Sequence, residues 1–116
     1  MNFLKQLFKS TPVKQLDAGA FEQIRQTDPN AVVIDVRTDR EFNQHQVPGA
    51  LHINLQSRSF SGELSKLDKS ARYLVYCRSG RRSAMACKLM AGMGFQDCNN
   101  LSGGILAWEQ YVKQSN

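Results

Sequence analysis

Two short runs, "AVVIDV" at 31–36, Asp35 apart, and "YLVY" at 73–76, are apolar at successive positions instead of alternate ones. A strand with one wet face alternates, whereas one that is greasy on both faces belongs inside a parallel sheet covered by helices on each side. Parallel neighbours also require right-handed crossovers, normally helical, between successive strands. The intervening sequence supplies them. In "DAGAFEQIRQ" Asp17 offers an N-cap, Ala20, Phe21 and Ile24 share one helical face, and "TDPN" is the turn beyond it. "DREFNQ" fits one or two helical turns broken by "VPGA", "LHINL" alternates as a strand does, and "GELSKL" has room for another turn. From Ala84 to Ala91 every position except Lys88 is apolar, so this helix should lie against the sheet with little exposed surface, ended by Gly92 and Gly94. "DCNNL" reads as the last strand, and "SGGILAWEQYVKQ" as a closing helix capped by Ser102, with Ile105, Trp108 and Val112 on one stripe. The expected architecture is α/β: about five short strands in a mostly parallel sheet, flanked by helices on both faces.

The chain has 116 residues, enough for one domain, with 41% hydrophobic and 22% charged residues, which excludes a disordered or fibrous chain. That domain is expected over 13–114. Ahead of it, "MNFLKQLFKSTPVK" carries Phe3, Leu4, Leu7 and Phe8 among lysines. Lys5 interrupts the apolar stretch and no small-residue cleavage site follows, so 1–12 reads as a short extra amphipathic helix stopped by Pro12, a membrane-surface anchor being the rarer alternative. No apolar run approaches the roughly 20 residues that span a bilayer, so no stable membrane association is expected. Cys77, Cys87 and Cys98 are odd in number and form no CxxC pair, which points away from a disulfide framework or zinc site and towards a reducing cytoplasm.

The net charge of +5 is unevenly placed: residues 1–60 hold seven Lys/Arg and six Asp/Glu, residues 61–116 eight and four. Much of the excess sits in "YLVYCRSGRRS", where Cys77 follows a buried strand and Arg78, Arg81 and Arg82 surround Gly80. No aromatic-studded basic stripe accompanies them, so a small anion explains the charge better than nucleic acid does. Ligands of such sheets bind at the carboxyl ends of the strands, which is where Cys77 falls. A free thiol, with a pKa near 8.5, is only about 3% ionised at neutral pH, and lowering that pKa by about two units makes the thiolate dominant. A loop from Arg78 to Arg82 is short enough to curl around the Cys77 sulfur with its peptide N–H groups inward, Gly80 supplying the unusual backbone and Ser83 opening a helix whose dipole adds positive potential. Such a thiol should also be open to solvent. Cys87, inside the apolar helix, and Cys98, in the last strand, read as packing residues.

"CRSGRRS", 77–83, resembles the active-site loop of single-domain rhodaneses, a sulfurtransferase family. "VIDVRTDREF", 33–42, is similar to their Asp-Val-Arg and Glu-Phe motif, and "GFQDCNNLSGGILAW", 94–108, to their Gly-Phe and Leu-x-Gly-Gly-x-x-Ala-Trp signature. The resemblance implies a sulfane sulfur carried from a small anionic donor such as thiosulfate to a thiol or cyanide acceptor through a persulfide on Cys77, with no metal or organic cofactor. Residues Arg78, Ser79, Gly80, Arg81, Arg82 and Ser83 would bind the donor, by loop amides more than by any one guanidinium. Asp35, Arg37 and Glu41 would support them, Arg37 and Glu41 pairing four residues apart. The chain departs from the family where Gly-His is expected before Val-Pro-Gly-Ala: His45 and Gln46 stand there, and neither His45 nor His52 is given a catalytic role. Two rivals remain. A phosphatase or arsenate reductase of the same fold needs Cys-x5-Arg, and position 83 is serine. A persulfide relay or interaction module of this fold would instead exchange sulfur with a protein donor or acceptor.

Overall fold

A computed structural model describes residues 12–115, so the amphipathic segment expected at the N-terminus lies outside the described residues save for Pro12. Five strands, β1 (Lys14–Leu16), β2 (Val32–Asp35), β3 (Leu51–His52), β4 (Arg72–Tyr76) and β5 (Asp97–Leu101), form one sheet in the order β1-β5-β4-β2-β3, with every pairing parallel. Between and after them run α1 (Ala18–Thr27), α2 (Asp39–Gln44), α3 (Phe60–Leu64), α4 (Arg81–Gly92) and α5 (Gly104–Gln114).

The central strand explains the doubly apolar runs. Tyr73 and Val75 of β4 pack with Ile34, Val36, Leu64, Cys87 and Met90 on one face, whereas Leu74 and Tyr76 pack with Phe21, Val33, Leu101 and Ile105 on the other. Successive residues therefore enter different cores, and both are covered by helices. Asp17 caps α1 as its position suggests, its carboxylate accepting the Ala20 N–H at 2.8 Å.

Five local expectations change. β1 is an edge strand that "KQL" does not announce, as only Leu16 is even half-buried. β3 is two residues long, after which Ile53 and Leu55 donate to the Asp35 and Val36 carbonyls from irregular backbone. Helix α4 begins at Arg81, two residues ahead of Ser83, and α5 is capped by Gly103 while Ser102 turns its hydroxyl to the Leu16 carbonyl at 3.1 Å. Helix α4 is also less buried than its composition implies: Ala86, Cys87 and Met90 face the sheet, but Met85 is 53% and Leu89 45% exposed. A helix lying on a sheet hides one face, and among the described residues no third layer covers the other.

A buried polar cluster locks β2 to β4. Asp35, fully buried at the end of β2, accepts from the Arg37 N–H at 2.9 Å, from Arg37 Nη2 at 2.7 Å and from the Tyr76 hydroxyl at 2.6 Å. Tyr76 Oη in turn accepts the Val47 N–H at 3.0 Å, and Arg37 Nη2 donates to the His45 carbonyl at 2.6 Å. This corrects the expected Arg37–Glu41 pair. A carboxylate as deep as Asp35 needs a counter-charge, since removing one partner of a buried pair costs about 3–5 kcal/mol, and Arg37 turns inward to provide it. His45 needs no special tolerance: its backbone is extended at φ −172°, and its ring lies 2.7 Å from the Glu109 carboxylate.

Replacing Tyr76 by phenylalanine keeps the packing but strands the Val47 N–H and removes one donor from Asp35. We expect a loss of about 1–3 kcal/mol, read as a lower urea midpoint at unchanged slope; an unmoved midpoint would remove the hydroxyl from the cluster.

Candidate active site

Strand β4 delivers Cys77 to the carboxyl end of the sheet at its centre, and the chain turns at once through 78–80 into α4. The turn is held from outside by its carbonyls. The first turn of α5 donates to it through Ile105 N–H to the Cys77 carbonyl at 2.9 Å and Leu106 N–H to that of Arg78 at 3.4 Å. The Gly80 carbonyl accepts from the Ala84 N–H and from Asn100 Nδ2, both at 3.2 Å. With the carbonyls turned outward, donors are left pointing inward: the Gly80 N–H lies 3.1 Å and the Ser83 hydroxyl 3.4 Å from Cys77 Sγ. Two glycines make the approach possible. Gly80 has φ +103°, and a Cβ there would collide with the Ser102 carbonyl; Gly104 has φ +65°, and a Cβ there would collide with the carbonyl of Arg78.

Burial works against ionising Cys77, yet the Ser83 hydroxyl and the peptide N–H groups of Ser83, Gly80 and Ser79 outweigh it and hold the thiol below its ordinary value. The largest influences contain no guanidinium, so it is the cradle of dipoles that makes this sulfur acidic. The other two thiols move the opposite way. Burial pushes Cys87 far up, and burial together with the charge of Asp97 pushes Cys98 up to about 11.

Cys77 is 1% exposed, which corrects the expectation of an open thiol: the loop that supplies the donors also roofs the sulfur. Within that loop Arg78, Ser79 and Arg81 are exposed, Arg82 is half-buried, and Gly80 and Ser83 are buried. The three arginines are not equivalent. Arg82 Nη1 and Nη2 grip the Glu41 carboxylate at 2.7 and 2.8 Å, a bidentate pair joining the start of α4 to α2. Glu41 is itself held in a capping box, its Oε1 accepting the Thr38 N–H at 3.1 Å while Thr38 Oγ1 accepts the Glu41 N–H at 3.3 Å. Arg82 is thereby committed within the protein. Arg78 and Arg81 have no carboxylate partner among the described residues. Asp35 and Arg37 reach the loop only through β2 and Tyr76, not by touching the sulfur. Two concavities, about 810 Å³ along α5 and about 420 Å³ between Asp39, His52 and Glu63, contain no residue of 77–83.

Sequence reasoning left Asn100, Gly104 and Tyr76 without roles. For Gly104 a signal existed, because paired glycines directly after a strand mark a backbone approach too close for a side chain. Asn100 carried only a weak one, an amide in a short strand next to the paired glycines.

The sequence pattern of the rhodanese-like domain matches residues 17–111. The protein YtwF of Bacillus subtilis is 34% identical over 90% of this chain and 98% of its own length. Thiosulfate sulfurtransferase GlpE of Pseudomonas savastanoi is 30% identical over 87% of this chain and 87% of its own. Among solved structures, a rhodanese-like domain protein from Staphylococcus aureus superposes with a TM-score of 0.74 at 26% identity, covering 82% of this chain and 90% of that one.

Two outcomes follow from the geometry. One equivalent of iodoacetamide near pH 6.5 should label Cys77 ahead of Cys87 and Cys98, as located by peptide mapping; prior labelling of either other thiol would refute the cradle's effect. The Arg82 hydrogen bonds, outweighing a burial penalty and joined by those of Thr38, lower the Glu41 carboxyl from 4.5 to about 2. The stability this contributes is complete above pH 4.5 and fades as the pH falls towards about 2. The gap in urea midpoint between the native protein and Glu41→Gln should therefore be wide at neutral pH and narrow below pH 4.5; a gap independent of pH would sink the ion pair's contribution.

Proposed function

The chain belongs to the rhodanese-like domain family, and on that premise we propose that it moves a sulfane sulfur from a small anionic donor such as thiosulfate to a thiol or cyanide, through a persulfide on Cys77. The observation that carries this reading is the convergence of the Gly80 N–H and the Ser83 hydroxyl on a single sulfur, at 3.1 and 3.4 Å, at the end of the central strand. Sulfur transfer is the activity, and thiosulfate the donor, in the name of the GlpE relative.

The chemistry proceeds in two displacements. The Cys77 thiolate attacks the outer sulfur of thiosulfate; a sulfur–sulfur bond forms to Sγ as the donor's own breaks, and sulfite leaves with that electron pair. The lone pair of the acceptor then takes the outer sulfur, and the electrons of the broken bond return to Sγ. No external oxidant or reductant enters. The inward N–H groups and the Ser83 hydroxyl stabilise negative charge on sulfur before, between and after the two steps. Arg78 and Arg81, exposed and without carboxylate partners among the described residues, meet the sulfonate end of the donor in this reading. Arg82, tied to Glu41, is a positioning residue that fixes the helical side of the loop. The depth of Cys77 suits a slim reactant that leads with one sulfur, and a persulfide carries its outer sulfur about 2 Å beyond Sγ, so the atom to be passed on stands nearer the mouth. Ser83 occupies the position at which a Cys-x5-Arg phosphatase needs a guanidinium, and its hydroxyl faces the sulfur instead.

Intact-mass analysis after incubation with thiosulfate should show one added sulfur, which cyanide then removes. Cys77→Ser should neither gain it nor turn over thiosulfate, while Cys98→Ala should keep nearly full activity; a sulfur retained by the serine variant would overturn the assignment.

A further inference from the structure

Helix α4 begins at the cradle and leads away from it, and its solvent side has a composition that the transfer of a small anion does not call for. Its exposed positions are Arg81, Met85, Lys88, Leu89 and Gly92, the spacing of a single stripe. Met85 and Leu89, at 53% and 45% exposure, form its apolar centre, with Arg81 and Lys88 as its cations. The helix contains no acidic residue, and exposed Arg78 continues the positive charge into the loop. Arg82, the remaining cation of the helix, is neutralised by Glu41 and belongs to the cradle. From Arg81 at the lip to Leu89 the stripe runs about 12 Å at the rise of an α-helix. Met85 and Leu89 lie outside the 77–83 loop that holds the sulfur. Two large apolar side chains held in water on the helix that opens at a reactive centre, with only cations among that helix's own charged residues, fit a macromolecular surface of the opposite sign.

Resting on the sulfur-transfer reading above, we propose that the exposed stripe of α4 docks an acidic protein segment with apolar anchors, whose cysteine thiol accepts the sulfur from Cys77. Its acidic side chains meet Arg78, Arg81 and Lys88, and its apolar residues cover Met85 and Leu89. Its thiolate attacks the outer sulfur of the Cys77 persulfide, the bond to Sγ breaks with its electrons returning to Sγ, and the partner leaves as the persulfide. The stripe thus sets specificity for the acceptor, while the cradle performs the transfer for any acceptor.

The probes are two synthetic peptides of equal length, each with one cysteine and two leucines, one flanked by glutamates and one by lysines. With thiosulfate as donor, the acidic peptide should show kcat/KM about tenfold above its basic counterpart, a preference that shrinks as salt is raised. Met85→Ser with Leu89→Ser should lower the acidic peptide's kcat/KM about tenfold and leave cyanide turnover unchanged. Equal rates for the two peptides, or a parallel fall with cyanide, would overturn the docking stripe. Binding of the acidic peptide with its cysteine replaced by serine, followed by fluorescence anisotropy, reads the surface without the chemistry: affinity weakened in the double variant supports the stripe, and unaltered affinity overturns it. Absence of cyanide turnover in the native protein, by contrast, is failure of the sulfur-transfer reading alone.

Discussion

The arrangement around Cys77 depends on where the carbonyls of one short turn are sent. A peptide group has two ends, and a loop can offer several N–H groups to one point only if the opposite ends find partners elsewhere. Here the first turn of α5 takes the carbonyls of Cys77 and Arg78, and Asn100 with the start of α4 takes that of Gly80. The two helices lie on opposite faces of the sheet, so the turn is clasped from both sides at the edge where both helices begin. Each such hydrogen bond contributes about 0.5–1.5 kcal/mol net. Together they hold the turn in the one arrangement that leaves its donors facing the buried sulfur.

Two charged struts support this clasp from the β2 side, and they differ in kind. Asp35 and Arg37 are almost wholly buried, so their pairing compensates desolvation more than it adds stability, and its value lies in fixing β2, Tyr76 and the chain around Val47 in one register. Glu41 and Arg82 are partly exposed, with a two-pronged geometry and a capping box that hold them in place without severe desolvation. The first strut sets where the central strand ends, and the second sets how the following helix starts. Neither touches the sulfur.

The architecture was legible because a buried parallel sheet leaves a local mark: consecutive apolar residues in 31–36 and 73–76, with helical spacing between them. The loop was legible for the same reason, as Cys77 to Ser83 is contiguous and its glycine and cations lie side by side. Pairings between distant segments were not. Spacing of four residues favours Arg37 with Glu41, but the desolvation of Asp35 claims Arg37, and Glu41 finds Arg82 forty-one positions away. Strand β1 was invisible because an edge strand of three residues buries too little to impose a pattern. The depth of Cys77 escaped because a charged sequence says nothing of whether its backbone folds over the thiol.

The margins of the sheet carry a different consequence. One edge is β1, of three residues, and the other is β3, of two, so neither offers a run of free peptide groups long enough to template another chain. Strand addition, the common route from a native sheet to fibres, is thus curtailed at both borders. Among the described residues, the sheet border thus leaves little free backbone through which a second copy could extend it.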